Sequence, residues 1–564
     1  MDKYQDISFI HNTEGNLPFR VLVIAPLLTE RESDYQLIPF EISEESFSKV
    51  MASLDISITL DLEISRLCQL YNVENQYFTI EFDINKLSDF SPYSIITNEP
   101  NLAEIHDLIA QIRSALQQSH FHFYAKQFHC SQLKLSLFNQ VEVKRAELEC
   151  LVCELESVLS EILDTILHHP KWQKMESAWR GVAWLTQASS AEDNCQIDCI
   201  SFNLEQLRED VCDSSTANDS DLYQLLYRDS LGQFGGIPYG CVLLDYAFSR
   251  NGTDIDFLKK ISEVCALAHV PLISGASASL FGANQYQDIT EHSNLTELFS
   301  SPLYIKWRSF SQSLSARYVC LTLPRIMIRR PYSQEVTTLD WYKEQVGENL
   351  ESCLWTNAAF AFTHNLIKSF ITHGFCSALV GLEGGEITLP LQTCPTSSLP
   401  VELVLSETKE AELVSLGFNP ICSRYYSGQL LYQSANSVAW YHVSQSFENQ
   451  TATTMAEAQL QYLFIVLRII HCLKILTREN IGSFNTKLEL NSFINNWLRQ
   501  FVSDVALPTQ AVQAQRPLKD ASVTVREATD MNWYDVDIVL TPHFKFLNET
   551  VTLDAQLNIS HKEL

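Results

Sequence analysis

The stretch that organises the chain is residues 148–185, LECLVCELESVLSEILDTILHHPKWQKMESAWRGVAWL. Its first half places apolar side chains three and four residues apart, which is the spacing of one face of a helix. These side chains are Leu148, Leu151, Val152, Leu155, Val158, Leu159, Ile162, Leu163 and Ile166. The helix should stop at His168-His169-Pro170, because proline disfavours helical geometry in the residue before it. We therefore predict one long amphipathic helix followed by a break.

Ahead of this helix, the chain from Lys3 to about Gln117 has the pattern of a small α/β region. Apolar runs or alternating apolar and polar residues predict strands at Tyr4–Ile10, Phe19–Ile24, Ile58–Leu62 and Phe78–Ile84. Asn101 is expected to cap a helix that carries Ile105, Leu108, Ile109, Ile112 and Leu116. Residues 118–147 show no clear period, so we interpret them as a connector.

Beyond the break, strands and helices are mixed, which is typical of an α/β or α+β core. We predict strands at Tyr239–Tyr246, Arg317–Leu323 and Val401–Leu405, and helices at Asp254–Ala268, Asn357–Ile371 and Gln459–Leu476. A polar linker, Pro508–Pro517, should lead to terminal strands at Ala521–Glu527, Trp533–Leu540 and Thr550–Ile559. The predicted division is residues 1–117, 118–167, 168–507 and 508–564.

The charge of the chain narrows the classes of partner. Its 564 residues carry a formal net charge of -29, which gives no electrostatic reason to bind nucleic acid or an anionic membrane. The N-terminus has no long apolar run typical of a signal peptide. The apolar stretch Tyr462–Leu476 contains Arg468, His471 and Lys474 and is too short for a membrane span. We therefore expect a cytoplasmic protein without membrane insertion.

The cysteines are interpreted as packing residues. There are 15, spread irregularly, so a secreted disulfide scaffold is not expected. The close pairs are Cys150 with Cys153 and Cys195 with Cys199, and a zinc site would need two further ligands near either pair. We predict no metal site. Measured zinc binding would support the alternative that the Cys150–Cys153 pair serves an enzyme.

The candidates for enzyme chemistry are weak. Gly232–Gly240 resembles a phosphate loop, but its glycines precede a strand and no Gly-Lys-Ser/Thr follows. We interpret it as a tight loop that enters the strand. Ser274 lacks the surroundings of a nucleophile elbow, and His269 is expected to end its helix. We name no catalytic or cofactor-binding residue and predict that the chain is not an enzyme.

Several segments resemble a known family in the right order. Residues 168–185 are similar to the most recognisable segment of the large sheath subunit (TssC/VipB-like) of the bacterial type VI secretion system. The other matching segments are Gly235–Ser249, Ala268–Ala276, Pro302–Ser309, Ala316–Arg325, Gly381–Gly385, Glu410–Phe418, Ile481–Phe484 and the terminal strands. Leu17–Ile24, Phe47–Leu60 and Leu87–Pro92 resemble the small subunit (TssB/VipA-like). The chain thus resembles a fusion of two subunits that are normally separate.

This resemblance implies a structural protomer of a contractile, phage tail-like sheath. Such protomers stack as a helical homopolymer around a tube of ring proteins (Hcp-like), on a baseplate, and contract to propel the tube. An AAA+ unfoldase (ClpV-like) dismantles the contracted sheath. In the family, the large subunit has a free segment ahead of the long helix. Here the connector 118–147 takes its place, and Leu133–Phe138 is the candidate substitute strand.

The resemblance also implies strand exchange between neighbouring protomers, because strand addition links chains through main-chain hydrogen bonds. The candidate residues are Tyr4, Ile7, Phe9, Val523, Val525, Val536, Ile538 and Leu540. The linkers Asn12–Leu17 and Pro508–Pro517 would act as hinges between two packings of rigid cores. The alternative to strand exchange is an ordinary sheet within one chain. The alternative function is a non-polymerising sheath-like component of a baseplate or cap.

Overall fold

The computed structural model describes most of the chain. The described residues are 17–28, 37–62, 78–117, 122–124, 142–190, 193–292, 294–333, 338–347, 352–390, 399–424, 429–445, 452–479, 487–503, 505, 508–527, 533–543, 545–546, 549–550 and 552–560. The predicted strands at Tyr4–Ile10 and Leu133–Phe138 lie outside them.

The strands of the described residues are numbered in chain order. They are β1 Phe19–Ala25, β2 Phe40–Ile42, β3 Ile56–Leu62, β4 Phe78–Ile84, β5 His122–Tyr124, β6 Glu142–Lys144, β7 Cys195–Ser201, β8 Tyr239–Phe248, β9 Leu272–Ala276, β10 Val319–Leu323, β11 Ile326–Arg329, β12 Leu354–Thr356, β13 Asn419–Ser423, β14 Leu430–Tyr432, β15 Leu518–Glu527, β16 Trp533–Pro542, β17 Lys545–Phe546, β18 Glu549–Thr550 and β19 Leu553–Ser560.

The α-helices of the described residues are numbered in the same way. They are α1 Phe47–Ser53, α2 Pro92–Asn98, α3 Pro100–Leu116, α4 Arg145–Leu167, α5 Pro170–Thr186, α6 Leu204–Asp213, α7 Asp221–Tyr223, α8 Gly252–Ala268, α9 Leu295–Ser300, α10 Ile305–Ser311, α11 Ala358–His373, α12 Gly381–Gly384, α13 Glu407–Ser415, α14 Trp440–Gln445, α15 Ala452–Glu457, α16 Leu460–Glu479, α17 Lys487–Arg499 and α18 Gln510–Gln515.

The large sheet has eight strands in the order β14-β13-β10-β9-β8-β1-β7-β2. The six inner strands are parallel, and the two edge strands are antiparallel to their neighbours. β1 comes from the N-terminal region and lies between β7 and β8. The predicted N-terminal region therefore contributes a central strand of the sheet.

β1 is apolar at nearly every position because both of its faces are covered, as in parallel sheets flanked by helices. Val21 and Val23 point into one core, and Leu22 and Ile24 point into the other. The first core includes α4, α5, α11 and the β3–β4 hairpin, whereas the second includes α6 and α8. The architecture is a layered α/β fold, which confirms the predicted mixed α/β class.

The stretch 148–185 forms two successive helices of the first core. The predicted apolar stripe is buried on α4, and the chain breaks at His168 and His169 as expected. The side chain of His169 then caps α5 by accepting a hydrogen bond from the amide of Lys171 (3.2 Å), and Pro170 occupies the first helical position.

A buried ion network holds α5 against β11. The guanidinium of Arg329 donates to Glu176 (3.0 Å) and to Glu344 (2.7 Å), and both carboxylates are fully buried. Burial alone would raise the pKa of Glu344, but hydrogen bonds from His168 and Arg329 and the charge of Arg329 lower it to about 2. The carboxylate of Glu344 is therefore ionised at neutral pH.

Helix α16 joins this core to the C-terminal sheet. It is long and apolar enough to cross a membrane by composition, but 67% of its most apolar window is buried inside the fold. Leu460 and Phe464 pack into the first core, whereas Tyr462 and Ile465 belong to the core beneath the C-terminal sheet. α16 is thus a shared packing helix, as predicted for Gln459–Leu476.

Three local predictions were wrong. Val401–Leu405 is not a strand. Val401 and Leu403 are buried, but the segment meets β11 through an isolated bridge between Ile326 and Val401. Asn101 does not cap α3, which begins one residue earlier at Pro100 and places Asn101 inside the helix.

The predicted linker Pro508–Pro517 contains α18. The carbonyl of Ala514 in α18 accepts a hydrogen bond from Ser377 (2.9 Å), so this segment is ordered against the core.

Candidate inter-subunit interface

The C-terminal sheet consists of three long antiparallel strands in the order β15-β16-β19. β16 pairs with β15 on one side and with β19 on the other. The terminal strands predicted from the sequence are confirmed, with boundaries shifted by a few residues.

The predicted exchange residues of these strands lie together on one face of the sheet. Val523 and Val525 of β15 lie opposite Ile538 and Val536 of β16, and all four are buried with Leu540. They share a core with Leu490, Ile494, Trp497 and Leu498 of α17. They thus form the inner face of the sheet, and their role at an interface stays a prediction. Tyr4, Ile7 and Phe9 lie outside the described residues.

Part of the outer edge of β15 is covered by the chain itself. The side chain of Asn495 on α17 donates to the carbonyl of Val523 and accepts from its amide, both at 3.1 Å. Nearer the start of β15, the amide of Leu518 donates to the carbonyl of Phe501 (3.3 Å), and the Leu518 carbonyl accepts from Ser503 (3.0 Å). Asn495 therefore occupies the place that a neighbouring strand would take.

The outer edge of β19 is different. Among the residues that the structure describes, β19 has a strand on one side only. The amide and carbonyl of Val523 point away from β16. In an antiparallel pair, the amide and carbonyl of the opposite residue, Ile538, then point away from β15 and toward Ala555 of β19. By the same alternation, the backbone groups of Asp554, Gln556 and Asn558 point away from β16. β19 therefore presents an edge that can receive another strand.

Sequence reasoning predicted the strand that contains β19 but did not select it as the edge. The alternating pattern gives the strands, whereas the order of strands depends on contacts between distant residues. The signal that identifies the partly covered edge is one asparagine, Asn495, in the amphipathic helix α17.

The glycine-rich loop 232–240 is built around a cation. The guanidinium of Arg478 on α16 donates to the carbonyls of Leu231 (2.7 Å), Gln233 and Gly236 (3.1 Å). Carbonyls that converge on a guanidinium are the opposite of the amide cradle that binds phosphate. Gly236 has no room for a side chain, since a Cβ there would lie 2.1 Å from the carbonyl oxygen of Ser230. The loop enters β8, as predicted.

The other residues considered for chemistry are placed as follows. Cys150 and Cys153 are exposed on α4, and Cys199 is buried on β7. Burial raises the pKa of the Cys195 thiol to about 12, which keeps it protonated. His269 ends α8 in the left-handed conformation, as expected, and the hydroxyl of Ser274 donates to the carbonyls of Leu244 and Tyr246. Within the described ranges, no three His, Cys, Asp or Glu side chains are grouped to hold a metal ion.

Comparisons with known proteins identify the class. Residues 149–439 match the family described as EvpB/VC_A0108, tail sheath N-terminal domain, and residues 449–559 match the EvpB/VC_A0108 tail sheath gpW/gp25-like domain. Residues 6–121 match the family described as type VI secretion system, VipA, VC_A0107 or Hcp2. The layered α/β core with its second sheet is therefore that of a tail-sheath protein.

A curated relative narrows the class further. The chain is 32% identical over 423 residues to the type VI secretion system sheath protein TssC1 of Pseudomonas aeruginosa, covering 72% of this chain and 84% of the relative. The chain belongs to the EvpB/VC_A0108 (TssC-like) sheath family of type VI secretion systems, and it carries a VipA (TssB-like) part in the same polypeptide. This family is structural, and its members assemble into a sheath.

Proposed function

We propose that this chain is a self-sufficient protomer of a type VI contractile sheath, in which one polypeptide takes the place of two subunits. It polymerises in the bacterial cytoplasm around an inner tube of Hcp-like rings, on a baseplate, and contracts to propel the tube. A ClpV-like AAA+ unfoldase would dismantle the contracted polymer. Residues 1–117 supply the small-subunit role, 118–167 the connector and long helix, 168–507 the large-subunit core and 508–564 the linking strands.

The observation that carries the proposal is the contrast between the two edges of the C-terminal sheet. Asn495 covers β15 at Val523, whereas β19 presents outward amides and carbonyls at alternate residues. Unpaired edges are an aggregation hazard that proteins normally cover. An edge of this length is consistent with a strand from another copy as its partner.

The donor strand is Tyr4–Ile10 of a neighbouring copy. Its Ile7 and Phe9 are two residues apart, so both fall on one face of an extended strand. Added beside β19, that face would extend the buried layer formed by Val536, Ile538, Leu540 and Leu553. Val523 and Val525 complete the same layer. In this arrangement the predicted exchange residues form the apolar floor, and β19 provides the hydrogen bonds.

The test is negative-stain electron microscopy of the chain expressed alone. We expect tubes with cogwheel cross-sections, and we expect deletion of residues 1–12 to abolish them while the remaining chain stays folded. The matched control carries, in place of residues 1–12, the segment Tyr4–Ile10 with Ile7 and Phe9 exchanged for each other. This exchange keeps the apolar face of the strand, so the control should form tubes. Only monodisperse particles from the full chain would favour the alternative, a non-polymerising baseplate or cap component.

A further inference from the structure

An apolar groove of about 320 Å³ opens beside the start of β19. One wall is the face of α16 that carries Leu463, Val466 and Ile470, and the other is the short 3₁₀ helix Leu314–Tyr318. Leu553, the first residue of β19, also lines the groove. The volume lies in the range of binding sites in proteins, which is about 300–1,000 Å³.

The groove is continuous with the core beneath the C-terminal sheet. Leu463, Val466 and Tyr318 pack against the buried cluster that contains Ile538 and Leu553. Among the residues that the structure describes, no strand follows β19 on this side of the sheet. The groove is therefore the open side of that core, and it lies next to the edge of β19 that can receive another strand.

The polar groups at the rim of the groove are already engaged or neutral. Arg317 pairs with Glu457 at 2.6 Å. Burial, with a smaller effect of Lys474, lowers the pKa of His269 to about 4, so its imidazole is neutral at pH 7. The groove thus offers apolar surface without an unpaired charge among its lining residues. Such a surface favours aliphatic or aromatic side chains over charged ones.

The N-terminal segment of the chain enters the described fold on the same helix. Arg468 of α16 donates to the carbonyls of Leu17 and Pro18, the latter at 3.3 Å, and Leu17 packs against the core from which the groove opens. Arg468 is two residues from Val466 and from Ile470, which is about 3 Å along the helix axis. Leu17 and the groove therefore lie at the same level of α16.

The length of the connection allows the segment to reach the groove of its own chain. Residues 11–16 separate Tyr4–Ile10 from Leu17. Six extended residues span up to about 20 Å, whereas a helix with its side chains is about 10–12 Å across. A connection this short also holds the segment at an effective concentration on the order of millimolar. Its own groove is therefore favoured over that of a dilute neighbour.

The side chains of the segment match the groove. Ile7 and Phe9 fall on one face of an extended segment, and Asp6 is the only charged residue of Tyr4–Ile10. A face with one aliphatic and one aromatic side chain suits a groove that is lined by leucine, valine and isoleucine.

We propose that, before assembly, this groove holds Ile7 and Phe9 of the same chain, and that assembly moves the segment into the groove of a neighbouring copy. The second half rests on the proposed sheath function, whereas the first half concerns the single chain. Because the two grooves are identical, the exchange replaces each contact with its equivalent, as in domain swapping. A segment in its own groove covers the start of β19, and so hinders pairing of that edge before a neighbour is present.

The test is photo-cross-linking of the full chain with p-benzoyl-L-phenylalanine in place of Phe9. Equal amounts of nitrogen-15-labelled and unlabelled chains are mixed and irradiated, once at a dilution that leaves no pelletable polymer and once after assembly. Mass spectrometry then locates the cross-linked peptides. In the dilute sample we expect links to α16 or to Leu314–Tyr318 in which both peptides carry the same isotope. In the polymer, links that join a labelled to an unlabelled peptide should appear.

A substitution in the groove tests its part in the contact without disturbing the core. Leu314 is 75% exposed, so Leu314→Asp should leave the fold intact while placing a charge in the groove. We expect the same-isotope links to fall to background. The matched control is Leu303→Asp, which changes a leucine that is 70% exposed and does not line the groove, and which should keep the links.

The length of the connection gives a second, independent variant. Deletion of residues 11–14 leaves two connecting residues that span about 7 Å, which is too short to pass around α16. This variant should lose the same-isotope links, whereas replacement of residues 11–14 by Gly-Ser-Gly-Ser should keep them.

The outcomes separate this proposal from the proposed function. Dilute chain that gives no links to the groove, or gives mixed-isotope links there, would overturn docking of the segment in its own chain. Polymer that gives same-isotope links alone would overturn the transfer. Same-isotope links in a chain that never polymerises would support the docking and count against the sheath function.

Discussion

The two main sheets of this molecule treat their edges in opposite ways. The large sheet ends in β2 and β14, which have three residues each and run antiparallel to their neighbours. The outer side of β14 is also covered, because Ile387 donates to Leu430 and Tyr432 donates to Gly385, both at 2.9 Å. The C-terminal sheet has long strands. One edge is covered by Asn495 at Val523, and the other is the eight-residue strand β19.

This difference suits the two sheets to different roles, one that prevents strand pairing and one that permits it. Short, covered edge strands prevent unwanted pairing, so the large sheet is a unit that ends within one chain. A long edge strand with alternate outward amides is suited to strand addition. The contacts that cover β15 at Val523 and Leu518 disfavour pairing along that edge, which leaves β19 as the better acceptor of an incoming strand.

The largest expected effect is the loss of assembly when the β19 edge is blocked. Gln556→Pro removes an outward amide but leaves the bonds between Ala555 and Ile538. We expect pelletable polymer to fall to background while far-UV circular dichroism stays unchanged. Gln556→Ala keeps the amide and should assemble normally. Normal assembly of the proline variant would show that β19 is not the acceptor edge.

The next largest effect should arise in the core of the large sheet. Arg329→Met leaves Glu176 and Glu344 buried without their cation, which should lower the free energy of unfolding by about 3–5 kcal/mol. Urea unfolding measures this loss. Lys306→Met breaks an exposed pair with Asp256 and should cost less than about 1 kcal/mol. Equal losses in the two variants would contradict the buried network, and the folded fraction of Arg329→Met should still assemble through β19.

Low pH should weaken the packing of α16, the helix that joins the large sheet to the C-terminal sheet. Burial, together with Lys474, lowers the pKa of His269 to about 4. Burial also lowers the pKa of His471 on α16, where His269, Lys474 and Arg468 add to the effect. Both histidines are therefore neutral in the folded chain, whereas the unfolded chain binds protons below about pH 6.5.

Stability from these histidines is present above pH 6.5 and is lost as the pH falls toward 4, by up to about 3 kcal/mol for His269. Glu344 behaves differently, since its stabilising effect is present above pH 4.5 and disappears as the pH falls toward 2. Urea unfolding at pH 7.5 and 5.0 should therefore show a loss that His269→Asn reduces, because asparagine tolerates the left-handed conformation. An equal loss in that variant would exclude His269 as the cause.

The smallest expected effect concerns the partly covered edge of β15. Asn495→Leu leaves the amide and carbonyl of Val523 without their partners, which should cost about 1–3 kcal/mol. It should also open β15 to pairing and produce side-by-side aggregates by electron microscopy. The matched control is Asn496→Leu, at an exposed position of the same helix. Aggregation of the control to the same extent would point to surface hydrophobicity instead of edge pairing.

Local pattern was sufficient to predict many of the elements. The α4 stripe follows from apolar spacing, and the break at Pro170 follows from the backbone geometry of proline. Val401–Leu405 shows where this reasoning fails, because alternating burial also arises in a segment that merely lies along a core. Asn101 shows the limit at helix ends, where Pro100 fits the first position and displaces the expected cap.

The candidate interface was less predictable. The apolar floor of Val523, Val525, Val536, Ile538 and Leu540 follows from alternation. The identity of the acceptor edge depends on a hydrogen bond between residues 28 positions apart, Asn495 and Val523, which local pattern does not encode. The central place of β1 between β7 and β8 is also a product of long-range pairing.

The most direct test of the account is hydrogen–deuterium exchange of β19 with single-residue resolution, comparing the monomeric deletion of residues 1–12 with assembled full-length chain. Strand addition at β19 predicts an alternating result. The amides of Asp554, Gln556 and Asn558 should exchange quickly in the monomer and become protected in the polymer, whereas Ala555 should be protected in both. Polymer in which the outward amides still exchange at the monomer rate would contradict strand addition at β19.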